Sequence, residues 1–170
     1  ALPCFRRTPR PDIGLRQQVI SEDGVSRPDD YRFFTKIIRR ALYDDLTARQ
    51  RRKLHERVVG ALERVHAGHL DRIAGALCYH YHAVGRWAET LRWGLDAGEA
   101  AMLRSDIDAA EKSLLHAKEA IENLRSDNAS VDASAAMRID LLRGTMLARL
   151  GRPEEAKALL HSAVDAAARS

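Results

Sequence analysis

The sequence predicts an all-α protein, an array of antiparallel helix hairpins behind a short irregular or β-hairpin N-terminal segment. Three observations carry that expectation. Ala, Leu, Arg and Glu dominate, 31% of the residues are charged and only 5% are aromatic, as in helices with solvated faces. From Phe34 onward the apolar residues recur at helical spacing. The breaks between the periodic stretches are short, and short connections make neighbouring helices antiparallel.

The N-terminal segment is the exception. Pro3, Pro9, Pro11 and Pro28 interrupt any helix before residue 30. Two short strands near 17–21 and 31–34, joined through Asp23-Gly24 and Pro28, would make a hairpin with a long tip, or the wing of a winged helix. The helices then follow in order. "TKIIRRALYDDL" places Ile37, Ile38, Ala41, Leu42 and Leu46 on one face. Thr47 and Gln50 form a capping box, so a new helix starts there, with an expected inner stripe of Leu54, Val58, Ala61, Leu62 and Val65 and with Arg52 and Glu56 on the wet side. Gly68 closes it. A helix over 70–84 turns Ile73, Ala76, Leu77 and Tyr81 inward and ends at Gly85; Trp87 opens the next, which carries Leu91, Leu95, Gly98 and Met102. Ser105 is the expected cap of a helix over 106–124 that presents Ile107, Ala110, Leu114, Ala117 and Ile121. After the polar turn "RSDNAS" comes a helix over 131–149, with Met137, Leu141, Leu142 and Leu150 inward. Gly151 stops it, and Pro153 suits the first turn of a last helix bearing Ala156, Leu159, Leu160, Ala163 and Val164.

Three turns look alike: "VGRWAET", "RSDIDAA" and "LGRPEEA". Around the second, the series Gly98, Ala101, Ser105, Ala110, Leu114, Ala117 has the offsets 3, 4, 5, 4 and 3, and Gly144, Leu147, Gly151, Ala156, Leu160, Ala163 repeats them. This resembles the tetratricopeptide pattern, in which small residues let paired helices approach and a large one fills the groove. The two series lie 46 residues apart instead of that family's 34. An insertion near "ENLRSDNASVDAS" is therefore expected.

"YRFFTKIIRRALYDDLTARQRRKLHERVVGALE" is the most specific text in the chain. Tyr31, Arg32, Phe33, Ile38, Arg39, Ala41, Leu42, Tyr43 and Leu46, then Arg52, Leu54, His55, Arg57, Val58, Ala61, Leu62 and Glu63, resemble the junction of bacterial STAND-class signal-transduction ATPases. These include LuxR-type ATP-dependent transcription regulators and ATPase-linked adenylate cyclases. In that family the stretch ends a winged-helix segment and opens a region of helical repeats. His80, Tyr81, Gly85, Trp87, Leu91, Ala97, Gly98, Glu99 and Ala101 continue the likeness. Thr35 and Arg40 depart from it, where the family has His and Glu. Residues 1–30 match nothing in that family, so the expected organisation is an irregular segment and the end of a winged-helix-like junction over 1–46, then tetratricopeptide-like repeats over 47–170, cut from a longer cytoplasmic protein. The resemblance implies an interaction or sensing role: a protein partner or sibling copy, or a small-molecule inducer.

For chemistry the sequence offers little. G-x-x-x-x-G-K-[ST], G-x-S-x-G, H-E-x-x-H and C-x-x-C do not occur, and no pair of carboxylates sits on an apolar face. No catalytic residue and no cofactor is expected. "CYHYH" at 78–82 places Cys78 and His82 on one helix edge, and His66 and His69 precede them. A zinc site wants three or four ligands, so packing is the stronger reading and no metal is expected. Tyr43, His80, Tyr81, Gly85, Trp87, Gly98 and Gly151 are the expected structural anchors, and His55 reads as a cap or packing residue. Cys4 and Cys78 have no reason to pair, which suits a reducing compartment. No apolar run reaches the roughly 20 residues that span a bilayer, so no membrane partner is expected.

The net charge of +4 is unevenly placed. Residues 31–70 hold ten basic and four acidic side chains, a balance of +6, while the remaining stretches are balanced or slightly acidic. Arg39, Arg40, Arg49, Arg51, Arg52 and Lys53 form a candidate basic surface for nucleic acid. Because they are interleaved with core-type residues and few aromatics, a solvated helix face is the stronger reading.

Overall fold

The computed structural model describes residues 20–22, 31–33 and 35–167. The expectations for Pro3, Pro9, Pro11, Pro28, Cys4, residues 17–19 of the first strand, the Asp23-Gly24 tip and Phe34 lie outside these residues. Two short strands pair antiparallel, β1 (Ile20–Glu22) and β2 (Tyr31–Phe33), with Ile20 opposite Phe33 and Glu22 opposite Tyr31. Seven α-helices follow among the described residues: α1 (Lys36–Asp44), α2 (Ala48–Val65), α3 (Ala74–Val84), α4 (Trp87–Leu103), α5 (Ile107–Ser126), α6 (Ala133–Arg149) and α7 (Pro153–Ala167). A 3₁₀ turn, Leu70–Ile73, precedes α3, so the expected helix over 70–84 is two pieces. The chain divides into two compact units, Ala1–Arg51 and Arg52–Ser170, and the division falls inside α2.

In the first unit, Thr35 caps α1: its Oγ1 accepts from the Ile38 N–H at 3.2 Å. The capping box at α2 forms as read. The Thr47 N–H donates to Gln50 Oε1 at 2.8 Å, and the Gln50 N–H donates to Thr47 Oγ1 at 3.3 Å.

The second unit has four corners of one construction: one at Asn128, with φ 55°, where Asn128 bonds to the Arg125 carbonyl and Ala129 to the Leu124 carbonyl, and three that fall at equivalent places in the repeat series described below. Gly85, Ser105 and Gly151 have φ of 78°, 59° and 73°. At each, the residue after the corner donates its N–H to the carbonyl five back: Arg86 to Tyr81, Asp106 to Ala101 and Arg152 to Leu147, at 2.9–3.0 Å. The positive-φ residue itself bonds three back, to His82, Met102 and Ala148. These bonds satisfy the carbonyls left at a helix end and turn the chain sharply. Ser105 is therefore the corner residue and not the expected cap. Asp106 caps α5, accepting from the Ala109 N–H at 3.1 Å.

The two repeat series become the hairpins α4–α5 and α6–α7. A Cβ on Gly98 would stand 2.7 Å from Leu114 Cδ2, and one on Gly144 would stand 2.8 Å from Leu160 Cδ2. The glycines are the slots into which the two leucines fit. Sequence reading missed a third series with the same offsets: Cys78, Tyr81, Gly85, Thr90, Gly94, Ala97. It forms α3–α4 with the large and small partners exchanged, since a Cβ on Gly94 would meet Cys78 Sγ at 3.3 Å, and also Ala117 Cβ at 2.9 Å. Thr90, Ala110 and Ala156 occupy the same position in the three series, and all are buried. Helix α4 belongs to two hairpins at once. The extra residues between the series sit in a 20-residue α5 and the linker 127–132, where Asn128 adopts φ 55°.

Helices two apart also touch, α3 with α5 and α4 with α6, which places them in two layers. The core comes as three clusters. Val59, Leu77, Tyr81 and Trp93 centre the first; Leu95, Ala117, Ile121 and Ile139 form the second; Ala101, Met102, Ala110 and Met146 form the third.

Some inner faces differ from expectation by one residue. On α2 the buried side chains are His55 and Val59, while Leu54 and Val65 are exposed. The stripe is rotated because a buried histidine takes a position that hydrophobicity would not assign to it. On α6, Ile139, Gly144 and Met146 are buried, whereas Met137 and Leu141 are 47% and 56% exposed and Leu150 is also exposed. Ile139 packs in the cluster with Leu95 and Met146 in the one with Met102, which fixes the face that α6 turns inward. Val164 of α7 and Ile37 of α1 are exposed as well.

Candidate interaction surface and the helix hub

The stretch "CYHYH" lies on α3, and its five side chains reach three other helices, α2, α4 and α5. Tyr81 is 2% exposed. Its hydroxyl donates to the Glu63 carboxylate of α2, its ring lies under the Arg86 guanidinium at 5.0 Å, and Arg86 is bound to Glu89 of α4. Burial, with the Glu63 hydrogen bond adding to it, pushes the Tyr81 phenol up to about 12. Tyr79 and His80 face α2. The two Nδ1 atoms of His80 and His55 are 2.7 Å apart, and the Tyr79 ring stands edge-on to both.

The other edge of α3 faces α5. His82 Nε2 donates to Glu119 at 2.6 Å, and its ring stacks on His116 with centroids 4.2 Å apart. Trp87 stands edge-on to His82 at 5.6 Å. Burial first, and then His82 beside it, lowers the pKa of His116 below the ordinary histidine value. Cys78 is buried and its thiol is 3.8 Å from the Thr90 carbonyl and 3.9 Å from His116 Nδ1. Burial raises that thiol to about 12, so it stays protonated and is a poor ligand or nucleophile.

Cys78 and His82 thus share a helix edge, as their spacing requires, but His66 and His69 are not brought to them. Among the described residues no three His, Cys, Asp or Glu side chains are placed to hold a metal ion. The expected anchors separate into kinds. Gly85 and Gly151 are corners, Gly98 is a slot, Tyr81 and His80 are links to α2, and Trp87 begins α4 beside His82. Tyr43, in the first unit, lies under the Arg51 guanidinium at 5.6 Å. Sequence reading missed His116 and Glu119 and gave Glu63 only a place in the family resemblance; all three reach the hub from other helices.

The basic residues are spread around their helices. Successive residues turn by about 100°, so Arg51, Arg52 and Lys53 point in three directions. Arg40 pairs with Asp44 and Arg52 with Glu56, each at 3.5 Å, and Arg39, Arg49 and Lys53 are exposed. The α4–α6 layer has its own polar ties: Arg138 binds Glu99, and the Arg149 guanidinium donates to the Met102 carbonyl at 2.8 Å. Among the described residues no helix is long and apolar enough to cross a membrane.

Comparison of the chain with family models, with curated proteins and with solved structures finds no match.

Proposed function

We propose that this chain is a non-catalytic helical-repeat module of a larger bacterial ATP-dependent regulator, a transcription regulator or a cyclase. In that setting it binds a protein partner, a sibling copy or an inducer, and binding shifts the population of the parent's two switch states. The carrying observation is the recurring corner at Gly85, Ser105, Asn128 and Gly151, each followed by a helix that seats against the one before it. Stacked hairpins of this kind bury their core between neighbours and leave long lateral faces for recognition. The resemblance of residues 31–63 to the STAND junction supplies the parent. Fold alone does not assign function, so the reading is tested in the parent.

The test is the surrounding coding sequence. A phosphate-binding loop upstream in the same frame is expected. A complete frame that opens beside Ala1 without such a loop overturns the regulator reading. A mobility assay with duplex DNA at about 50 mM salt separates the nucleic-acid alternative, since phosphate contacts are strongest at low salt. No shift is expected.

A further inference from the structure

Helix α6 carries a second face that repeats the docking face of α4. The repeat series sets α4 and α6 in register 46 residues apart, Gly98 with Gly144. In that register Leu91, Leu95 and Met102 of α4 correspond to Met137, Leu141 and Ala148 of α6. On α4 these side chains receive α6. Leu91 and Leu95 share a cluster with Ile139, Met102 shares one with Met146, and Leu142 reaches both. Leu95 and Met102 are each 5% exposed as a result. On α6 the corresponding side chains are outside: Met137 and Leu141 are 47% and 56% exposed, and Ala148 is exposed. Each residue turns a helix by about 100°, so Leu141 lies across α6 from Ile139 and Met146. Helix α6 therefore has two apolar faces, one seated on α4 and one left open among the described residues.

We propose that the open face docks on its own copy, with α6 of one chain against α6 of a second about a two-fold axis, so that the α4–α6 layer runs on into the second chain. The stripe on α4 is covered by an apolar stripe on α6, which makes the new contact a continuation of one already present. A second copy keeps Ile139 and Met146 on its own α4, so the stripe that its α6 has left to offer is Met137, Leu141 and Ala148. A two-fold axis sets identical stripes against each other. Charge does not oppose the pairing. Thr145 stands where α4 has Glu99, and the bordering Arg138 and Arg149 are held by Glu99 and by the Met102 carbonyl. Resting on the interaction reading above, this makes the sibling copy the partner. The oligomeric state of the chain tests it, and the surrounding coding sequence tests the parent, so either can fail alone.

Sedimentation velocity of the whole chain between about 5 and about 500 μM spans the dissociation constants of weak dimers, as suits an interface of one helix on each side. A monomer at about 5 μM that becomes a dimer towards about 500 μM is expected. Leu141→Glu would bury an unpaired carboxylate at the middle of the contact and is expected to weaken the dimer by at least about tenfold. Its circular dichroism at low concentration is expected to match that of the unaltered chain, because Leu141 lies outside the core. Leu115→Glu alters an exposed leucine of α5 away from the stripe and is expected to leave the dimer unchanged. A chain that stays monomeric at about 500 μM overturns the proposal and leaves the face to a helix of a different chain. So does a dimer that persists in Leu141→Glu, one that Leu115→Glu abolishes equally, or association that runs past the dimer, since a two-fold contact closes on itself.

Discussion

Gly60 and Gly94 both sit inside regular helices and meet different neighbours. Among the described residues a Cβ on Gly60 would touch only the tip of Arg64, at 3.4 Å. One on Gly94 would press on Ala117 Cβ at 2.9 Å and on the Ser113 carbonyl at 3.0 Å, neither of which can move alone. Gly60→Ala is therefore expected to raise stability by about 0.5–1 kcal/mol through helix propensity. Gly94→Ala is expected to lower it by about 1–3 kcal/mol through overpacking, which exceeds the same propensity gain. Urea unfolding of the two variants gives both signs. Tyr81 separates packing from hydrogen bonding. Tyr81→Phe keeps the buried ring and loses the bond to Glu63, at a cost of about 1 kcal/mol. Tyr81→Ala also empties a core position and is expected to cost about 3 kcal/mol or more. Equal losses in thermal unfolding would contradict the placement of Tyr81 in the core. At this scale the sequence shows that "CYHYH" belongs to a helix, because Gly85 and Trp87 mark its end. It does not show that Tyr81 reaches Glu63 or that His82 reaches Glu119, because those partners lie 18 and 37 residues away.

At the scale of elements the corners govern. Of the corners, Ser105 and Asn128 are not glycine, and Ser105 is held at φ 59° where a Cβ crowds the backbone. Ser105→Gly is expected to stabilise by about 1 kcal/mol, and Gly151→Ala to destabilise by a similar amount, through the left-handed conformation alone. Denaturation midpoints that move in the opposite directions would contradict equivalent corners. Helix starts and stops were legible because caps and glycines act locally: the Thr47–Gln50 box, Gly68, Gly85, Gly151 and Pro153 all stand where they were read. The rotation of α2 was not. An apolar stripe wider than 100° fixes a helix face only to about one residue. His55 takes a core place because His80 from α3 satisfies its ring nitrogen. Met137 and Leu141 look inward by periodicity, yet α6 turns Ile139 and Met146 to its neighbours instead.

At the scale of the second unit, a repeat array differs from a single-core domain in how it comes apart. Three separate clusters hold α2–α4 and α4–α6, and α6 and α7 are joined to each other through the Gly144–Leu160 slot. Stability in such a stack is a sum of local units and their interfaces, so damage at one seam spreads weakly. The hairpins α4–α5 and α6–α7 are legible from the repeat offsets, because in each a glycine stands opposite the leucine that fills its slot. The third hairpin stayed hidden because Cys78 and Gly94 exchange those roles. The most direct test of the array is hydrogen exchange on Gly144→Val, whose Cβ would stand 2.8 Å from Leu160 Cγ. The account predicts that α6 and α7 lose protection while α3 and α4 amides keep theirs. A uniform loss from α2 through α7 would contradict it.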